Sequence, residues 1–263
     1  MKYTSKLPDD SVNIDDKHPL AIALKLTLSL ALLAAVVYIF MGSIINIAVS
    51  YISPEQEKEL SKFLSIDINV SNSNNSYLEK ITKKLSRCAK LPYDINSYIM
   101  DDEQPNAFAV PGGSIYITKG MIKKVQSENE LAFIIGHELG HFKNKDHLRI
   151  LGHKLIFGTV AMLIGNDYGM AASTTMSIGN AKYSQSAELQ ADLYGLEVMH
   201  CAYGNVTDAT KIFEKMSDGE EWKYFTATHP NFEKRIIKMK EKIVKDRLNT
   251  SKQAIPLEKI DLN

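Results

Sequence analysis

Between Lys25 and Glu55 the chain carries no charged residue, and the run LTLSLALLAAVVYIFMGSIINIAV inside that window is apolar around the whole circumference of a helix. About 20 such residues suffice to cross a bilayer core, so the pattern predicts a transmembrane anchor over residues 20–52. A cleaved signal peptide would show an apolar region of roughly 7–15 residues behind a short basic leader, and here the leader is long and of mixed charge. After Ser53-Pro54 the pattern restarts as a charged helix running to about Leu64. The polar run SNSNNS, Ser71 to Ser76, reads as a linker because its side chains compete for their own backbone. From Tyr77 the sequence YLEKITKKL has an amphipathic helical period, Tyr93 to Met100 reads as a strand, and NAFAVPGGSIYITKG (Asn106 to Gly120) reads as two short strands about a Pro-Gly-Gly turn. Ser127 and Glu130 form an S-x-x-E capping box ahead of LAFIIGHELGHF. The rest is mainly helical by period, which gives an α+β, mainly helical fold class.

Two later segments stand out. Leu155 to Asn180 turns apolar and rich in Gly and Met; a core helix is expected there in preference to a membrane-leaning or gating segment. Glu233 to Lys252 carries eight basic and three acidic residues, with Ile236, Met239, Ile243 and Val244 at helical spacing. It is expected to pack as a terminal helix with a solvated basic face, docking on anionic lipid being the less favoured alternative. The resulting divisions are an N-terminal cytoplasmic tail (1–19), the anchor (20–52), a juxtamembrane helix and linker (53–76), a catalytic domain (77–250) and a C-terminal tail (251–263).

Charge narrows the function classes. Thirty-one basic residues balance 31 acidic ones over 263 residues, which argues against a nucleic-acid binder working by overall field. Lys2, Lys6, Lys17 and Lys25 precede the span and only Lys58 and Lys62 follow it closely, which places the N-terminus in the cytoplasm and the bulk outside. In a bacterium that means the inner membrane with the large domain in the periplasm. Cys88 and Cys201 allow one bridge at most, and two separate buried thiols are the plainer expectation.

The chemistry lies in His137-Glu138-Leu139-Gly140-His141. On a helix the two histidines stand one turn apart on one face and can share a metal ion, with Glu138 beside them as a base. Such sites take Zn²⁺ on three protein ligands and leave a position for water. Two residues compete for the third ligand. His147 has the spacing of the extended pattern H-E-x-x-H-x-x-G-x-x-H, although Asn144 occupies its glycine position. Glu188, in SAELQAD, stands one turn from Asp192; there Glu188 would ligate and Asp192 would accept from the far nitrogen of a ligand histidine.

GHELGHFKNKDH, YSQSAELQAD (Tyr183 to Asp192), NAFAVPGGSIYITKGMI and THPNFEKRI (Thr228 to Ile236) together resemble the membrane-associated gluzincins of the HtpX, BepA and CAAX-prenyl-protease-like family, in the family's order. The resemblance implies a zincin-like metallopeptidase domain with a small edge-stranded sheet. It favours Glu188 over His147, giving one Zn²⁺ on His137, His141 and Glu188 with Glu138 as base. His229 resembles a histidine that stabilises the oxyanion or caps the resting zinc, and Asn106, Ala107 and Phe108 resemble the edge strand where substrate adds. Arg235 is expected to help hold the His229 loop, without a catalytic role. HtpX-like and prenyl-protease-like members carry several spans; with one span found and no helical repeat after the protease domain, this chain is expected to be closer to the single-anchor or periplasmic type. The expected partners are unfolded or misfolded envelope polypeptides and membrane lipid through the N-terminal helix, with no nucleic acid. A membrane-anchored chaperone or adaptor that keeps the zinc fold is the alternative; loss of Glu138 would mark it, and Glu138 is present.

Overall fold

Helix α1 (Pro19–Tyr51) begins on a proline, which suits a first turn whose amides have no helical partner. Its 33 residues rise about 50 Å, beyond the roughly 30 Å of a bilayer core, and it is long and apolar enough to cross a membrane. Leu24, Leu26, Leu30, Val37 and Phe40 are all exposed, and the hydroxyls of Thr27 and Ser43 bond back to Ala23 and Ile39 one turn earlier. The computed structural model describes residues 19–63, 75–163, 182–216, 222–230 and 232–262. By internal packing the chain divides between Ile47 and Ala48, so the last turn of α1 belongs to the larger unit.

In that unit α2 (Pro54–Phe63) starts at a reciprocal cap: Ser53 Oγ accepts from the Gln56 amide and Gln56 Oε1 accepts from the Ser53 amide. Asn75 caps α3 (Ser76–Ala89) by accepting from Leu78 N. Three strands follow, β1 (Asn96–Met100), β2 (Ala107–Val110) and β3 (Ser114–Thr118), in the order β1-β3-β2. β3 runs parallel to β1 and antiparallel to β2, which pairs on one side only among the described residues. Pleating sends Ala107, Ala109, Ile115, Ile117 and Ile99 into the main core and Phe108, Val110 and Tyr116 into a separate small cluster. The turn before β3 needs Gly113, at φ +86°, where a Cβ would also come within 2.4 Å of Asp94 O.

Helix α4 (Lys119–Lys124) leads to α5 (Glu128–Asn144), the central helix, buried from Asn129 to Phe142. Ser127 Oγ caps it by accepting from Glu130 N, while Glu130 Oε2 accepts from Gln126 N, one residue before the amide a capping box would use, and its other oxygen takes Lys215 Nζ at 2.6 Å. Then come α6 (Asp146–Leu163), α7 (Gln185–Tyr203), α8 (Lys211–Met216), α9 (Lys223–Thr228) and α10 (Phe232–Lys245). The apolar stretch from Leu155 is helical to Leu163; its remainder, to Asn180, lies outside the described residues, as do Ser71 to Asn74 of the polar linker. α10 is a packed helix: Phe232, Arg235 and Met239 are buried, Lys240 pairs with Glu214 and Lys242 with Glu197 and Asp246.

One expectation is corrected here. Cys88 and Cys201 are not separate thiols but form a disulfide joining α3 to α7, their Cα atoms 5.9 Å apart. The amphipathic face of α3 packs on α7, and that packing brings the two cysteines within bonding reach.

A second contact has no signal in the hydrophobic pattern. Glu57 of α2 is only 2% exposed and accepts from His147 Nε2 and from the Gly112 amide, each at 2.9 Å. Burial disfavours its charge, but His147, the Gly112 amide and Lys145 outweigh that and hold its carboxyl below the usual range. Lys145 Nζ meanwhile donates to the carbonyls of Val49, Ser50 and Ile52. Glu57→Ala strands a buried imidazole and a turn amide, so a loss of about 2 kcal/mol is expected in the unfolding free energy of the detergent-solubilised chain.

Candidate metal centre

Two helices meet backbone to backbone to make the site. At Gly140, inside the HELGH run of α5, an added Cβ would stand 2.6 Å from Ala191 Cα on α7. Only a residue without a side chain permits that approach, which sets Glu188 and Asp192 opposite His137 and His141. Gly140→Ala is therefore expected to push the helices apart at a cost of about 1–3 kcal/mol, read as a lower melting temperature together with reduced bound metal.

His137 Nε2 and His141 Nε2 lie 3.1 Å apart, His137 Nε2 is 3.7 Å from Glu188 Oε2, and His141 Nε2 is 3.4 Å from Glu188 Oε1. His229 completes the group: one ligand atom from each of His137, His141, Glu188 and His229 falls within 4.8 Å of the others. Nitrogen and oxygen donors set tetrahedrally about 2.0–2.1 Å from an ion stand about 3.3–3.4 Å from one another, so the spacings fit one small cation of the zinc kind. The far nitrogens of both α5 histidines are occupied, that of His137 by Asp192 Oδ1 at 2.8 Å and that of His141 by Asp146 Oδ2 at 3.1 Å. Both Nε2 atoms are thereby turned inward.

Arg235 closes the arrangement from α10. Its Nε donates to Asp192 Oδ2 at 2.6 Å, its Nη2 to Asp192 Oδ1 at 2.8 Å and its Nη1 to the His229 carbonyl at 3.3 Å. Nη1 also stands 2.5 Å from Glu188 Oε2 as an ion pair without hydrogen-bond alignment. His229 ends α9, with Nδ1 2.9 Å from Glu188 Oε1 and its ring stacked on Phe225. Tyr183 lies flat on His141, ring centroids 3.8 Å apart. Glu138 is fully buried and neither of its carboxylate oxygens has a hydrogen-bond partner among the described residues.

The protonation pattern follows from this packing. Burial works against a charge on His141, but Asp146 and Glu188 override it and push the imidazole up to about 10. Burial prevails at His137, whose value is lowered despite Asp192. A metal ion held by His141 would have to displace the proton that Asp146 and Glu188 favour there. Glu188 is held well below the carboxylate range: burial opposes its charge, and His229, Arg235 and His141 more than compensate.

Of the residues singled out in the sequence, His137, His141, Glu188, His229 and Asp192 converge here with Glu138 at their edge, whereas His147 turns to Glu57. Asn106 to Phe108 run into β2, which lies against α5; Ala107 and Phe108 are buried, and the Asn106 amide bonds to Thr118 Oγ1. Asp146, Tyr183 and the central position of Arg235 were missed. Arg235 had a readable signal, since it falls between Phe232 and Met239 on the apolar stripe of α10.

Residues 72–243 match the sequence pattern described as Peptidase family M48. The chain belongs to that family. Similar proteins include the mitochondrial metalloendopeptidase OMA1 of Schizosaccharomyces pombe, 24% identical over 63% of this chain and 52% of its own length. A putative beta-barrel assembly-enhancing protease of Vibrio cholerae is 27% identical over 64% of this chain and 39% of its own. A protease HtpX homolog of Thermoanaerobacter pseudethanolicus is 24% identical over 77% of this chain and 84% of its own. The chain spans about half or less of the length of the first two. Membership makes it a metallopeptidase-family chain and fits a group of side chains, two of them on the HELGH helix, that could hold a metal ion.

Proposed function

We propose that this chain is a zinc-dependent endopeptidase, anchored in a membrane once through α1 with its N-terminus in the cytoplasm. The observation that carries the reading is the group of four converging donors beside a buried carboxylate, Glu138, that no group among the described residues satisfies. His137, His141 and Glu188 would hold the ion, and His229 stands where it would serve as a fourth donor in the resting state. When bound, Zn²⁺ supplies Lewis-acid polarisation and lowers the pKa of water to about 7. Glu138 takes the proton of the attacking water and passes it to the leaving amine nitrogen as the peptide C–N bond breaks. Asp192 and Asp146 fix the tautomers of the two histidines, and Arg235 holds both Asp192 and the His229 carbonyl. Asn106, Ala107 and Phe108 at the entry to β2 are the place for an extended substrate to add by main-chain bonds. The substrates are unfolded or misfolded membrane or envelope polypeptides, a reading supported by the name of the Vibrio cholerae relative.

Metal removal tests this. The full chain in detergent, treated with a chelator until metal analysis finds none, is expected to lose casein cleavage and regain it with one equivalent of Zn²⁺. Undiminished cleavage by metal-free protein would overturn the proposal.

A further inference from the structure

A cavity of about 800 Å³ lies away from the metal group, among α2, α3 and the segment that leads into β1. Lys58, Lys83, Ser86 and Arg87 line it; the Ser86 hydroxyl itself is enclosed, without a hydrogen-bond partner among the described residues. Two acids share the lining, Glu55 and Asp94, and Glu55 is engaged by the Ser53 hydroxyl. Lys83 pairs with Glu79 on its own helix, Lys58 interacts electrostatically with Glu55 of the same lining, and Arg87 forms no ion pair among the described residues. The basic surface continues along α3, where Lys83 and Arg87 also border a second hollow of about 440 Å³ with Lys80 and Lys84. On α10, by comparison, Lys238, Lys240 and Lys242 are paired with Glu241, Glu214, Glu197 and Asp246.

Position identifies the ligand class. Pro54 begins the lining, three residues and at most about 10 Å of chain beyond Tyr51, where the apolar helix ends. Tyr51 is 81% exposed, an aromatic of the kind that sits at head-group depth. The chain between them is fixed to the same unit by the three carbonyls that Lys145 holds. Leu91 and Ile95 give the cavity an apolar flank beside its cations, a mixture suited to a phosphate with a glycerol and acyl chains behind it.

We infer that this cavity binds the phosphate-bearing head group of an anionic phospholipid, tying the catalytic unit to the membrane at the exit of its anchor. The inference rests on the membrane-anchored reading above and is independent of catalysis. Its test uses the purified full chain in neutral detergent, titrated calorimetrically with dihexanoyl phosphatidylglycerol, dihexanoyl phosphatidylcholine and inorganic phosphate in turn. The phosphatidylglycerol is expected to bind most tightly. The Lys58→Ala/Arg87→Ala double variant is expected to bind it about thirty-fold more weakly, at about five-fold per cation near a lipid phosphate, with casein cleavage unchanged. Arg87→Lys, which keeps the charge, is expected to keep the binding. Should the double variant not fold, Lys58→Gln, a change on an exposed side chain, carries the test with a loss of about five-fold. Equal binding by wild type and variant, or no binding by wild type, would overturn the site; inorganic phosphate binding as tightly as the lipid would overturn the lipid as its source. Casein cleavage and resistance to alkaline extraction, measured on the same preparation, report separately on the protease and anchor readings.

Discussion

Glu138→Gln is expected to abolish casein cleavage, by about 10²–10⁴-fold in kcat, while the bound zinc stays at one per chain. The amide has the shape of the carboxylate and cannot accept the proton of the attacking water. Both Glu138 oxygens are buried and have no hydrogen-bond partner among the described residues, so the carboxylate is uncommitted to any other group. Folding should be little affected, because the wild-type carboxylate makes no hydrogen bond whose loss the substitution could impose. A variant that kept zinc and cleaved at the wild-type rate would remove Glu138 from the mechanism. A variant that lost its zinc would make it a structural residue.

The legibility of this protein divides by the range of the interaction. The long apolar helix α1, the start of α5 at Ser127 and the Pro-Gly-Gly hairpin are written in local patterns, and each element stands where its pattern placed it. Glu188 and Asp192 could be paired with the HELGH helix because they too lie one turn apart, and the structure sets Asp192 on His137. Contacts set by the docking of distant elements were not legible. Asp146 follows the helix by a left-handed residue, Lys145, that no periodicity announces, and only that corner swings its carboxylate to His141 Nδ1. Glu57 looks like any acid in a charged helix until His147 and the Gly112 amide, 90 and 55 positions away, are brought against it. The disulfide is of the same kind, since its separation of 113 residues closes only when α3 meets α7.

Arg235→Met is expected to be the most destabilising single substitution at the site, costing about 3–5 kcal/mol in the metal-free protein and lowering its melting temperature by on the order of 10 °C. Methionine fills similar space against Phe213 and Phe232, on whose rings the guanidinium now lies, so the loss isolates the charge and not the packing. What remains is Asp192 and Glu188, both fully buried, with their principal fixed cation gone. Arg235→Lys is expected to recover part of the loss, because one ammonium cannot serve both carboxylates in the geometry of the planar fork. The sign of the pH dependence follows from the carboxylates. Arg235 helps hold both below their ordinary values of 3.8 and 4.5, so its contribution is present above that range and lost as pH falls through the lowered values of the folded state. The gap between variant and wild type should therefore narrow in acid. It should narrow also on adding Zn²⁺ at neutral pH, since a cation held by Glu188 offsets part of the missing charge. A gap that stayed constant across pH and zinc would show that Arg235 acts through shape alone.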